Sequence, residues 1–227
     1  MVRTTVRKRG PGRPPLDAEE NRERRARYLT IAAQVFAKRG YAATDVQEVA
    51  DRAKVGKATV YRFFPSKIAL FTSAIEHGVA NLHQTVQAAM ATTDHGLERV
   101  RCAVHAYLSY WEEHPEMAEL LVLERAEFRG TQSQRYVRDR NQAKAEAGAQ
   151  FSALIAQGLM RDAPTDRYVD VIFNLLYGTM YFNRMTGADK PIAAQVEDIL
   201  DVFFHGSLTE AGRRRLAVRT KIVKDSP

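Results

Sequence analysis

The chain has 227 residues, 45% of them hydrophobic, and a single cysteine, Cys102; it can bury one large or two small cores, it excludes an internal disulfide framework, and it suits a reducing cytoplasm. No apolar stretch approaches about 18 residues, which excludes a membrane-spanning helix, and no apolar run follows the basic N-terminus as a signal peptide requires. The net charge of +7 is uneven: residues 1–67 carry 16 Lys/Arg against 7 Asp/Glu, residues 68–212 carry 12 against 19, and residues 213–227 carry 6 against 1, so a basic head on an acidic body points to a polyanionic partner.

Residues 1–16 hold Arg3, Arg7, Lys8, Arg9 and Arg13 among Pro and Gly, the composition of a disordered basic arm. Asp17-Ala-Glu-Glu20 is a capping box opening a helix with Tyr28, Ile31, Ala32, Val35 and Phe36 on one face. Gly40 predicts a left-handed stop, with Tyr41 folding back. Thr44-Asp-Val-Gln47 is a second capping box, for a short helix through Val46, Val49, Ala50 and Ala53. After a turn at Lys54–Gly56 a third helix runs from Lys57 to Phe64, halted by Pro65, and Ser66 caps a longer fourth.

Three short helices with a tight turn before the third form a helix-turn-helix, whose last helix enters the major groove. Val60 and Phe64 fall on the inner side of that helix. Lys57, Ala58, Thr59, Tyr61 and Arg62 are left for DNA.

The stretch Tyr28 to Phe71 resembles the DNA-binding domain of TetR-family regulators. The resemblance rests on Phe36-Ala-Lys-Arg-Gly-Tyr-Ala-Ala-Thr44, Val49-Ala-Asp-Arg-Ala53 and Ala58-Thr-Val-Tyr-Arg-Phe-Phe-Pro-Ser-Lys67. It implies phosphate contacts from Thr44, Tyr61 and Lys67, and base-edge approach by Lys57, Ala58, Thr59 and Arg62. The chain departs from the family where Lys54 and Gly56 stand in place of the usual Gly and Ser. Lys54 is therefore expected at positive φ, and Gly56 as an N-cap without a hydroxyl. In the arm, Pro11-Gly-Arg-Pro14 is similar to the core of an AT-hook, which lays its arginine, here Arg13, in a narrow minor groove. A flexible basic tail is the alternative reading.

Helical spacing continues over about 95–114 with Leu97, Val100, Val104, Leu108 and Trp111 inward, then over about 116–129, 133–161, 166–186 and 191–206. Ser207-Leu-Thr-Glu210 can cap a last short helix. Residues 166–186 are apolar around most of the circumference, as in a helix buried on more than one side. In TetR-like proteins the last two major helices of each subunit make a four-helix dimer interface. That resemblance places Ile172, Leu176, Ile199 and Phe203 at a homodimer contact. Candidate lining residues for an effector are His105, Trp111, Arg125, Phe128, Asn174, Tyr177 and Tyr181.

The expected fold is all-α. A basic arm covers 1–16, a helix-turn-helix DNA-binding domain 17–67, and a helical effector-binding and dimerisation domain 68–227. The expected function is sequence-specific regulation of transcription, as a repressor controlled by a small molecule, with a palindromic double-stranded DNA site read by a cytoplasmic homodimer. No Gly-rich phosphate loop, nucleophile elbow, Glu-x-x-His pair or Cys/His cluster suggests an enzyme. No cofactor or metal is expected, since Cys102 and His105 alone are too few ligands. An architectural DNA protein is the remaining rival; an acidic, aromatic-rich second domain argues against it.

Overall fold

The computed structural model describes residues 18–128, 134–187 and 190–206, with positions 134–138 described by backbone alone. Among the described residues the chain is helical, without strands. Its elements are α1 (Ala18–Arg39), α2 (Val46–Ala53), α3 (Lys57–Phe63), α4 (Lys67–Met90), α5 (Gly96–Glu113), α6 (Pro115–Glu127), α7 (Gln134–Ala156), α8 (Thr165–Thr186) and α9 (Ile192–His205). The chain divides into two compact units between His77 and Gly78, within α4. The arm with Arg13, Asp17 of the first capping box and the segment from Ser207 onward lie outside the described residues.

In the N-terminal unit each helix boundary has a local cause. Gly40 adopts φ +78° and its N–H donates to Phe36 O at 2.8 Å. A side chain in that conformation costs about 1–2 kcal/mol, which suits glycine. Tyr41 then stacks on Phe36 and meets Phe71 edge-on, with ring centroids 6.0 and 5.1 Å apart. The α2 cap falls one residue later than the sequence suggests. Asp45, not Thr44, accepts the Gln47 N–H, at 2.9 Å, while the Thr44 hydroxyl donates inward to Gly40 O at 2.7 Å. The reason is burial: Thr44 is 4% exposed. Lys54 ends α2 in the left-handed conformation at φ 57°, as the departure from the family pattern predicts. Gly56 is the α3 N-cap without a side-chain bond, and Ser66 Oγ accepts the Ala69 N–H at 3.1 Å.

Phe36, Phe64 and Phe71 fill the centre of this unit, each at most 1% exposed. Phe36 and Phe71 meet edge-to-face at 5.0 Å. Each such ring contributes about 1.5–3 kcal/mol by leaving water. The Arg27 guanidinium donates to Ala53 O at 2.7 Å, satisfying a carbonyl at the end of α2.

In the C-terminal unit Pro115 occupies the first turn of α6, where its missing N–H is harmless, and so separates α6 from α5. Val100, Val104 and Leu108 of α5 pack with Phe151 and Leu154 of α7, Val169, Ile172 and Leu176 of α8, and Val196 and Leu200 of α9. Leu97, expected inward, is 39% exposed; the core stripe begins one turn later, at Val100. α7 is shorter than the expected 133–161. Gly158 turns at φ +71° and the Leu159 N–H closes back on Leu154 O at 2.9 Å, a glycine-based helix stop. The Met117 thioether occupies the space where a side chain on Gly78 would stand. Beside it the Tyr110 hydroxyl donates to Gly78 O at 2.7 Å, and burial pushes this phenol well above its usual pKa. The Gln195 side chain, 7% exposed, is satisfied by Asn183 at 2.8 Å and Lys190 O at 2.7 Å, tying α8 to the start of α9.

The residues expected at a dimer contact need correction. Ile172 and Leu176 are buried in the chain's own core. Ile199 and Phe203 pack against that core, with Phe203 5.8 Å from the Phe151 ring and 6.2 Å from Tyr168. Open apolar residues on these helices include Val171, Leu175, Phe182 and Met185 on α8 and Val202 on α9. α8 is apolar on both sides, so periodicity could not say which side met its own core.

Candidate nucleic-acid interface and ligand cavity

In α3, Val60 and Phe64 anchor the inner side, at 0% and 1% exposure. Ala58, Tyr61 and Arg62 are exposed on the other side, with Lys57 and Thr59 half-buried beside them. The helix thus offers two cations and two hydroxyls on one outer surface, the chemistry of phosphate and base-edge contact.

Several of these groups are held before any ligand arrives. Lys57 Nζ lies 2.7 Å from Asp45 Oδ1, joining the start of α3 to the cap of α2. The Gln47 N–H, and then Lys57, hold the Asp45 carboxyl below its usual pKa; the same bond raises that of Lys57. This pair is exposed, so exchanging it for a phosphate costs little. Lys67 donates to Ala42 O at 2.9 Å and stands 4.9 Å over the Tyr41 ring, leaving two ammonium protons for an anion. Arg62 lies 5.8 Å over Phe63. Thr44 is different: its only hydroxyl proton is committed to Gly40 O, so its side chain does not present a donor to a phosphate. The sequence reading also missed a charge cluster in which Glu48 holds Arg39 at 3.0 Å and Arg52 at 2.9 Å.

The C-terminal unit contains a cavity of about 190 Å³ between α4, α5, α7 and α8. Trp111 and Tyr177 line it, with apolar walls from Val104, Phe151 and Leu176. Trp111 Nε1 is buried with no acceptor among the described residues. Polar side chains interrupt the wall, among them Asp139, Arg140 and Gln150; in the same wall Glu146 meets His83 at 2.7 Å and Gln87 at 2.6 Å, and it also bonds Gln142 at 3.0 Å. Burial works against the Glu146 charge, but the bonds from His83, Gln142 and Gln87 prevail and keep its pKa below the usual range. His83 and Glu146 are 63 positions apart, a pairing no local pattern reveals.

A second, open groove of about 1070 Å³ runs between α6 and α8. Arg125, Phe128, Tyr177 and Tyr181 line it, together with Arg184 and Glu119, which pair at 2.7 Å. The rings of Tyr177 and Tyr181 stack at 6.5 Å. His105 and Asn174 are exposed and line neither the cavity nor the groove; His105 lies 3.3 Å from the Ser109 hydroxyl.

Residues 29–74 match the family model described as bacterial regulatory proteins, tetR family. Over those residues the chain is similar to the helix-turn-helix segment of that family. It is 38% identical over 102 residues to the HTH-type transcriptional activator FasR of Mycolicibacterium smegmatis, covering 45% of this chain and 46% of that protein. It is 47% identical over 60 residues to the HTH-type transcriptional repressor KstR of Mycobacterium tuberculosis, covering 26% of this chain and 27% of KstR. The matched segments thus span less than half the length of these curated relatives. In fold, the regulator FadR of Bacillus subtilis, solved in complex with stearoyl-CoA, superposes with a TM-score of 0.71 at 16% identity, over 80% of this chain and 98% of that one.

Proposed function

We propose that this chain is a sequence-specific DNA-binding regulator of transcription whose affinity for DNA is controlled by a small molecule held in the C-terminal helical unit. The observation that carries the reading is α3: a short helix anchored by Val60 and Phe64 and carrying Lys57, Ala58, Thr59, Tyr61 and Arg62 on its outer side. Tyr61 and Lys67 position the helix on phosphates, and Lys57, Thr59 and Arg62 read base edges. Arg13 adds a contact in the flanking minor groove. Two chains associate through the open apolar residues of α8 and α9, so that two heads meet a palindromic site. Among the described residues no helix is long and apolar enough to cross a membrane, which is compatible with work in the cytoplasm. The relatives named above include both an activator and a repressor. In this reading the chain represses transcription, and effector bound in the C-terminal unit lowers its affinity for DNA.

The test is selection of duplexes from a random pool by the full-length protein, followed by affinity measurement on the enriched site and on scrambled DNA. The expected result is a palindrome with half-sites about one helical turn apart, bound about a thousandfold more tightly than scrambled DNA. Equal affinity for both would replace this reading by non-specific, architectural binding.

A further inference from the structure

We propose that Asp45 is a specificity-determining residue for DNA: its carboxylate aims Lys57 at a base edge and disfavours contact with the phosphate backbone alone. This rests on the reading of α3 as the helix that meets DNA. Asp45 is the N-cap of α2, and its Oδ1 accepts both the Gln47 N–H at 2.9 Å and Lys57 Nζ at 2.7 Å. The first bond ties the carboxylate to the backbone, so the second holds the ammonium at a defined point at the start of α3. An ammonium has three N–H donors. One is held by Asp45, and two remain, the number that a guanine accepts at O6 and N7.

Charge supplies the second half. Residues 1–67 carry 16 Lys/Arg against 7 Asp/Glu, a balance that attracts any duplex whatever its sequence. Discrimination then needs an element that disfavours the wrong contact. α3 itself has no acidic residue. On α2, Glu48 is held by Arg39 and Arg52, and Asp51 accepts from Gln47. Asp45 instead faces Lys57, with 67% of its side chain exposed. The Gln47 N–H, then Lys57 and more weakly Lys67, keep it ionised. A carboxylate thus stands beside two of the cations assigned to DNA. If Lys57 turns to a phosphate, losing the exposed pair costs little, but the carboxylate is left facing that phosphate without its partner. If Lys57 bonds a base edge, the pair stays whole and the carboxylate stays neutralised.

The test uses the full-length protein and the duplex selected as above. Wild type, Asp45→Asn and Lys57→Gln are titrated with that site, with scrambled DNA, and with sites substituted at each base pair of a half-site in turn. Asn keeps a capping oxygen and removes the charge. Asp45→Asn is expected to bind scrambled DNA about fivefold more tightly, with a salt slope steeper by about 1 per subunit, because Lys57 is free to neutralise one more phosphate. The selected site should gain no affinity. The preference that is lost should lie at one base pair per half-site, the same one that Lys57→Gln relaxes, and amount to about tenfold. Equal changes on selected and scrambled DNA, with no base position relaxed, would make Asp45 a helix cap alone and overturn the proposal while the reading of α3 stands. Relaxation at a position that Lys57→Gln leaves intact would overturn the aiming of Lys57. Asp45→Ser, which also caps, repeats the comparison if the Asn variant melts early. A wild-type protein with no preference for the selected site would overturn the reading of α3, and this proposal with it.

Discussion

Phe36, Phe64 and Phe71 of the N-terminal unit are at most 1% exposed, whereas Val171, Val202, Phe182 and Met185 of the C-terminal unit leave between 47% and 67% of their surface open. The first unit closes its core within a few dozen residues, using short helices with a cause at each end. The second keeps a core but also an internal cavity, a long groove and open apolar side chains. Under the proposed function α3 would meet DNA in one orientation, for which a filled, rigid support is suited. The second unit would, under the same proposal, receive a ligand and a second subunit, and the surface it leaves open suits that, because an apolar surface completed within one chain has nothing left to bind.

The strongest attack on this contrast is a cavity in each unit. Phe36→Ala should lower unfolding stability by about 3–5 kcal/mol, as truncating a fully buried ring does. Leu175→Ala, at a side chain 37% exposed, should cost the isolated chain far less. Denaturant titration of the two variants compares them. Equal losses would mean that the open side of α8 is as tightly packed as the N-terminal core.

A charge separates the two sides of α8. Phe182→Glu should leave the subunit folded but weaken self-association by about 3 kcal/mol, more than a hundredfold in dissociation constant, since an unpaired charge is costly inside an interface. Ile172→Glu should instead prevent folding, because Ile172 is 4% exposed within its own subunit. Light scattering with circular dichroism distinguishes the outcomes. A fully dimeric Phe182→Glu protein would remove this surface from the proposed contact.

Tyr61→Phe should weaken binding to the selected DNA site by about 1–2 kcal/mol, with thermal stability unchanged, as for a lost hydrogen bond to a charged group. Thr44→Val should behave in the opposite way, lowering stability more than it alters phosphate contact, because the Thr44 hydroxyl serves Gly40 O. Affinity titrations at fixed salt, with melting curves of the same samples, check both.

The smallest effect is one of pH. The folded-state pKa of Asp45 is lowered from 3.8, first by the Gln47 N–H and then by Lys57. Its ionised cap therefore stabilises the fold fully above that unfolded value and is lost as pH falls through the lower folded one. Asp45→Asn keeps a capping oxygen but removes the charge. Its melting temperature should fall less steeply than the wild type's below pH 4. Parallel acid profiles would assign the cap no charge-dependent role.

Much of the N-terminal unit was legible in the sequence because its signals are local. Gly40, Ser66, Pro65 and the periodicity of Val46, Val49, Ala50 and Ala53 each act within one or two helical turns, and the family resemblance lies in the same stretch. Lys54 at positive φ was foreseeable for the same reason. Even there the choice between Thr44 and Asp45 as the cap was not, since both residue types cap helices and burial alone decided between them. In the C-terminal unit the sequence determined that the segments are helical and roughly where Pro115 divides them. Tertiary structure decided the rest. It turned Ile172 and Leu176 inward and Phe182 outward on a helix apolar on both sides, it brought His83 to Glu146 across 63 positions, and it excluded His105 and Asn174 from the cavity. The physical reason is range: a cap or a turn is settled by atoms a few residues away, while the side of an apolar helix that meets its own core is settled only when distant helices compete to cover it.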